Sequence, residues 1–174
     1  MFLRILLIAL FLFVFSSLSY SVDNLENVPE YELSVSVDVE NNLISGFASI
    51  SVVSKKEVSI NIGDLLIEEI TLNGKKIFFD SKRTIINFLP ESDGVLLIKY
   101  MGVFKEDSDA EFDNIVSKNG IMLSGIWYPK IDDLFRYKLR VLLPTGYEAV
   151  CESENIDRRS KNGMIEFVFH FPYP

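Results

Sequence analysis

Histidine and cysteine are nearly missing from this sequence, which carries one of each, His170 and Cys151, in 174 residues. One histidine cannot supply an H-E-x-x-H pair, a His-rich metal cluster or both histidines of a Cys₂His₂ finger. One cysteine makes neither an internal disulfide nor a C-x-x-C redox motif. Positive charge is also scarce: 17 Lys and Arg stand against 25 Asp and Glu, for a net charge of −8, and no basic run occurs. Nucleic acid is thereby excluded as a partner, because its phosphates need clustered Lys and Arg. Long hydrophobic runs are missing too, apart from residues 5–15.

That run reads as a targeting segment. Arg4 precedes it, small and polar residues follow, and Ser19 and Ser21 place small side chains at the −3 and −1 positions of a cleavage site. A membrane-spanning helix needs about 20 apolar residues, and this run is much shorter. The expectation is a signal peptide over 1–21, export to the periplasm or medium, and only transient contact with a membrane. The remaining residues, 22–174, suit one domain held by packing, with Cys151 as a small buried side chain.

Period-two alternation recurs along that domain. Tyr31, Leu33, Val35, Val37 and Val39 alternate with Glu32, Ser34, Ser36 and Asp38. Ala48, Ile50 and Val52 do the same, as do Val58, Ile60 and Ile62. Residues 65–72 form a further strand, in which Glu68-Glu69 breaks the alternation as a β-bulge would. Ile86 and Phe88, then residues 95–100, 135–143, 147–151 and 165–171, complete the series. Asn41-Asn42, Asn73-Gly74, Asp93-Gly94, Asn119-Gly120 and Asn162-Gly163 supply residues that tolerate positive φ at the turns between them. No sustained 3.6-residue period follows residue 21. The fold expected is all-β, an antiparallel multi-stranded sandwich or saddle preceded by a signal helix.

Chemistry-bearing clusters are sparse. The loop residues Asp107, Asp109, Glu111 and Asp113 are spaced as in an EF-hand, but Phe112 stands where Gly is needed and Lys118 where a bidentate Glu is needed. A solvated acidic loop is the reading that remains. His170 faces away from Phe167, Phe169 and Phe171 on its strand, with nothing to position a nucleophile beside it. Asp132 and Asp133 follow Trp127-Tyr128-Pro129, where the proline and charges read as a turn and the two aromatics as core anchors. No catalytic, cofactor-binding or metal-binding residue is assigned, and no cofactor is expected. The candidates for an interaction surface are Trp127, Tyr128, Phe169 and Phe171.

Four stretches in this order carry a family resemblance: YELSVSVDVENNLISGFASISVV (31–53), INIGDLLIEEITLNGKKI (60–77), LLIKYMGVF (96–104) and GIMLSGIWYPKIDDLFRYKLRVLLPTGYEAV (120–150). Together they resemble the N-terminal β domain of the aminopeptidase N family of zinc metallopeptidases. In that family zinc belongs to a following helical domain with H-E-x-x-H, a further Glu and a G-x-M-E-N segment, none of which occurs here. The resemblance therefore implies a β module that is not an enzyme by itself and serves as a binding or scaffold domain. Its partner would be a separate catalytic polypeptide or another protein, reached through an open edge of the last strand. The alternative is the N-terminal fragment of a split or truncated zinc aminopeptidase. A carbohydrate-binding or adhesion sandwich rests on fold analogy alone.

Overall fold

Residues 28–105, 114–153 and 155–171 are described in the computed structural model. The signal segment and the acidic residues 106–113 lie outside them. The described residues form strands joined by turns, with no helix.

Alternation sets the main sheet. On β1 (Glu30–Asp38) the apolar set Tyr31, Leu33, Val35 and Val37 is buried and the polar set is not. Asp38 then turns the chain: its carboxylate accepts the Glu40 and Asn41 N–H groups, and Asn42 adopts a φ of 54°. The return strand β2 (Leu43–Val52) pairs antiparallel with β1 and with β7 (Gly94–Val103). β4 (Leu66–Leu72) pairs with β7, and its register shifts between Ile67 and Glu69. The extra residue is Glu68, as the broken alternation indicates, and the bulge lets Ile67 and Ile70 both face inward.

The full order of this eight-stranded sheet is β12-β13-β11-β1-β2-β7-β4-β5, where β5 is Lys75–Lys76, β11 is Arg136–Pro144, β12 is Asn155–Lys161 and β13 is Met164–His170. One pair departs from the antiparallel expectation. β1 and β11 run parallel, with Leu33 beside Leu139 and Val35 beside Val141. A parallel pair needs a crossover, and all the chain between the two strands supplies it.

A second layer covers the buried face. β3 (Val58–Asn61), β6 (Ile85–Phe88) and β10 (Lys130–Ile131) form a three-stranded sheet, and β8 (Ile115–Ser117) pairs with β9 (Gly120–Met122). Val58, Ile60, Ile86, Ile131 and Val116 join the main sheet's inward side chains in one core. Asn42 Nδ2 donates to the Val116 carbonyl at 2.6 Å, which ties β8 over the β1–β2 turn.

Three expectations are corrected here. The last strand, β13, is flanked by β11 and β12, so the open edge belongs to β12. β12 escapes detection because an edge strand buries little, and its sequence NIDRRSK carries a single apolar residue, Ile156, and no alternation. Residues 147–151 alternate like a strand but have no ladder partner. At the turns, Asn73-Gly74 and Asn162-Gly163 do adopt positive φ, whereas Asp93-Gly94 and Asn119-Gly120 do not. Gly94 is required for another reason: a Cβ there would lie 2.1 Å from Asn73 Oδ1.

Candidate functional site

Tyr31 organises one side of the core. Its ring stacks on Tyr137 at 5.3 Å and meets Phe135 and Tyr128 edge-on at 5.5 and 6.0 Å. Trp127 in turn meets Tyr128 edge-on at 4.8 Å. The buried Tyr31 hydroxyl donates to the Pro129 carbonyl, so the Trp-Tyr-Pro segment is fastened to the sheet through β1. Burial pushes the Tyr31 hydroxyl well above its ordinary pKa, with Tyr100 and the other neighbouring phenols adding to the shift. Trp127 and Tyr128 are thus half-buried anchors packed on the core.

Trp127 also lines a groove of about 210 Å³. Its floor is the inward face of β1, β11 and β13, including Val35, Val141 and Phe169. Ile121 of β9, Leu123, Trp127 and residues 148–151 also line it.

Phe169 is 1% exposed and stacks with Phe167, so it is a floor residue. Phe171 is half-buried against the core, and its N–H donates to the Tyr137 carbonyl at 3.0 Å. Of the four interaction candidates, Trp127 and Phe169 share the groove, while Tyr128 and Phe171 do not line it. Residues 148–151 are the part of the groove that sequence reasoning assigned to a strand and not to a site.

Cys151 is exposed on the groove wall, contrary to the expectation of a buried side chain. Partial burial raises its thiol pKa, and the Glu152 charge adds to that. His170 points to the opposite face of the sheet, 3.8 Å from Asp157, so no Cys–His pair forms. Asp133 bonds Lys56 Nζ at 2.5 Å; this bond, and a second from the Leu134 N–H, hold its carboxyl below the usual range. Asp133 is thus an ion-pair partner at the surface. Among the described residues no group of three His, Cys, Asp or Glu side chains is placed to hold a metal ion.

The outer face of the sheet is laced with ion pairs. Lys138 reaches Glu32 at 3.1 Å, Arg140 reaches Glu166 at 2.7 Å and Lys99 reaches Glu68 at 2.8 Å.

No protein-family model and no curated protein matches the sequence. Solved structures do match. The M1 zinc metallopeptidase from Deinococcus radiodurans superimposes with a TM-score of 0.65 at 16% identity, over 82% of this chain and 38% of that one. The fold is that of part of an M1 zinc metallopeptidase.

A point mutant of the Deinococcus enzyme bound to a Tyr-Ser-Ala substrate gives a TM-score of 0.63 at 14% identity over the same shares. A two-domain M1 zinc metallopeptidase mutant bound to L-arginine gives 0.61 at 16% identity, over 83% of this chain and 38% of that one. This chain therefore spans well under half the length of the M1 structures it matches. The resemblance drawn from the four sequence stretches and the likeness of fold agree.

Proposed function

We propose that this chain is an exported, non-catalytic β module with the fold of the M1 aminopeptidase N-terminal region, and that it acts as a binding or scaffold domain. The observation that carries the reading is the asymmetry of the match: 82% of this chain superimposes on 38% of the M1 enzyme. The zinc chemistry of that family does not fit the residues present. Its site needs two histidines on one helix, and this chain has a single histidine on a strand, with Asp157 as its nearest carboxylate. What the chain supplies is a rigid sheet, a fixed aromatic corner and a groove.

The second reading is the N-terminal part of an aminopeptidase whose catalytic half is encoded separately or in an interrupted frame. The same partial coverage favours it. In that case the module would shape and shield the substrate-side entrance of the catalytic half.

Reading the DNA downstream of the Pro174 codon in all three forward frames separates the two. An H-E-x-x-H about one domain length on supports the split enzyme; its absence from every frame leaves the stand-alone module. Purified chain assayed with aminoacyl p-nitroanilides and added zinc is expected to show no hydrolysis. Turnover that survives repurification and responds to a chelator would overturn the non-catalytic assignment.

A further inference from the structure

Two turns of the main sheet share a sequence and a backbone. Asn73-Gly74 joins β4 to β5 at one edge, and Asn162-Gly163 joins β12 to β13 at the other. Both asparagines lie in the left-handed region, with φ of 50° and 54°, and the glycines follow at 77° and 73°. All four residues are exposed. Each pair is a complete two-residue loop, because Leu72 faces Lys75 and Lys161 faces Met164 in the ladders. Asn119-Gly120 is not comparable, since it lacks positive φ and Gly120 already belongs to β9.

The two turns differ in what holds the asparagine side chain. The Asn73 amide is fastened at both ends: its Nδ2 donates to the Asp93 carbonyl and its Oδ1 accepts the Val95 N–H, each at 3.0 Å. The Asn162 amide has no hydrogen-bond partner among the described residues. Gly163 is held by its carbonyl, which accepts the Thr145 N–H at 3.1 Å and the Thr145 hydroxyl at 2.7 Å. Its N–H donates to nothing among the described residues. Asparagine before glycine is the pair most prone to self-cyclisation, since glycine has no side chain to shield its nitrogen. Cyclisation also requires the amide to turn until Cγ meets that nitrogen. Asn162 is free to turn and Asn73 is not.

We infer that Asn162 is a site of spontaneous deamidation in the folded protein, and that the matched Asn73 is protected. The Gly163 nitrogen gives up its proton to hydroxide and attacks Asn162 Cγ. The Cγ–Nδ2 bond breaks, and Nδ2 takes a proton from water and leaves as ammonia. Water then opens the resulting succinimide. Cleavage between the Gly163 nitrogen and Cγ gives aspartate, whereas cleavage between that nitrogen and the main-chain carbonyl carbon gives an isoaspartyl linkage. No electrons are transferred, and water is the only co-reactant. This inference does not depend on the aminopeptidase reading.

Either product adds one negative charge. The isoaspartyl product also brings Cβ into the main chain, which lengthens a loop whose two residues set the register of β12 on β13. β12 is bonded to no other strand, so the ladder from Asn155 to Lys161 is the part that loosens.

The test ages the full chain in native buffer at mildly alkaline pH and maps its peptides by mass spectrometry at intervals. The Asn162 peptide is expected to exchange an NH₂ for an OH and to split into aspartyl and isoaspartyl forms. The Asn73 peptide should react at least about tenfold more slowly, because two hydrogen bonds must break before its amide can turn. In concentrated urea the two rates should converge, since neither amide is then held. Equal rates in the native protein, or faster reaction at Asn73, would overturn the inference. A difference that survives urea would overturn it too, by placing the cause in the neighbouring residues. In the isoaspartyl fraction, β12 amides should exchange with deuterium faster than in fresh protein, and unchanged exchange would overturn the stated consequence for β12. Every arm uses the wild-type chain, so no variant has to fold.

Discussion

Tyr100 stands opposite Gly46 in the β2–β7 ladder, and its ring lies over the space a side chain at 46 would fill. A Cβ on Gly46 would come within 2.9 Å of Tyr100 Cζ and 2.7 Å of the Ser34 carbonyl oxygen. The ring can swing only into a filled core, and the Ser34 carbonyl belongs to the central strand β1. Gly46→Ala is therefore expected to destabilise the fold by about 1–3 kcal/mol, the usual range for overpacking. Urea denaturation followed by Trp127 emission measures it. A variant within about 0.5 kcal/mol of the wild type would show that the β1–β2 ladder yields easily.

The Tyr100 hydroxyl is buried and has no hydrogen-bond partner among the described residues. Burial raises its pKa, with Tyr128 contributing. A hydroxyl taken out of water without a partner costs about 1–3 kcal/mol, and removing it relieves that cost while the ring still fills its place. Tyr100→Phe should be neutral or stabilising by about 1 kcal/mol. A loss of similar size would mean that the hydroxyl is bonded to an internal water.

These two residues also show what a single sequence discloses. Alternation finds the strands that carry them, as it does for Tyr31 to Val37 on β1 and Ala48 to Val52 on β2, where the apolar set is the buried one. Their juxtaposition is a matter of register, which depends on the partner strand and cannot be read from one strand alone. The parallel pairing of β1 with β11 is hidden for the same reason. β12 was invisible because its edge position asks for charge and not for alternation, and β5, β8, β9 and β10 are too short to show a period. The groove is hidden most completely. Its lining comes from strands and a connecting segment far apart in the chain, which only their register brings together.

Gly94 and Gly163 follow asparagines or aspartates in turn sequences, yet replacement should fail for different reasons. Gly163 has a φ of 73° and nothing within 4 Å of a built Cβ, so Gly163→Ala costs backbone strain alone, about 1 kcal/mol. At Gly94 a Cβ would displace the Asn73 amide, which accepts the Val95 N–H and donates to the Asp93 carbonyl, both at 3.0 Å. Losing two bonds of about 0.5–1.5 kcal/mol each should make Gly94→Ala the costlier change. Introducing Asn73→Ala first should shrink the Gly94→Ala penalty and leave the Gly163→Ala penalty alone. Equal penalties in both backgrounds would sink this account of Gly94.

The hydroxyl of Tyr31 offers a further test, since its bond to the Pro129 carbonyl joins β1 to the segment that carries Trp127. Both residues are among the most fully buried in the protein. Tyr31→Phe keeps the ring contacts with Tyr128, Phe135 and Tyr137 but leaves the carbonyl unpaired, at about 1–3 kcal/mol. Because the segment is fastened there, Trp127 emission in the folded state should shift as well. Lost stability without any shift would mean that the aromatic stacking alone positions Trp127.

Asp133 gives the fold a pH dependence of predictable sign. The Lys56 ammonium and the Leu134 N–H lower its folded pKa beneath the value of about 3.9 that it has in the unfolded chain. The unfolded state then takes up a proton first as pH falls. The stabilisation is therefore complete above the unfolded pKa and disappears as pH drops through the lower folded value. Both partners are largely exposed, so its size is no more than about 1 kcal/mol. Asp133→Asn removes the titrating group while leaving an acceptor for the Leu134 N–H. Urea midpoints of the wild type and Asp133→Asn should differ near neutral pH, with the wild type more stable, and should converge at strongly acidic pH. A difference that stays constant across the whole range would mean that Asp133 contributes no net charge interaction, and that the close contact with Lys56 is offset by the loss of hydration of the two ions.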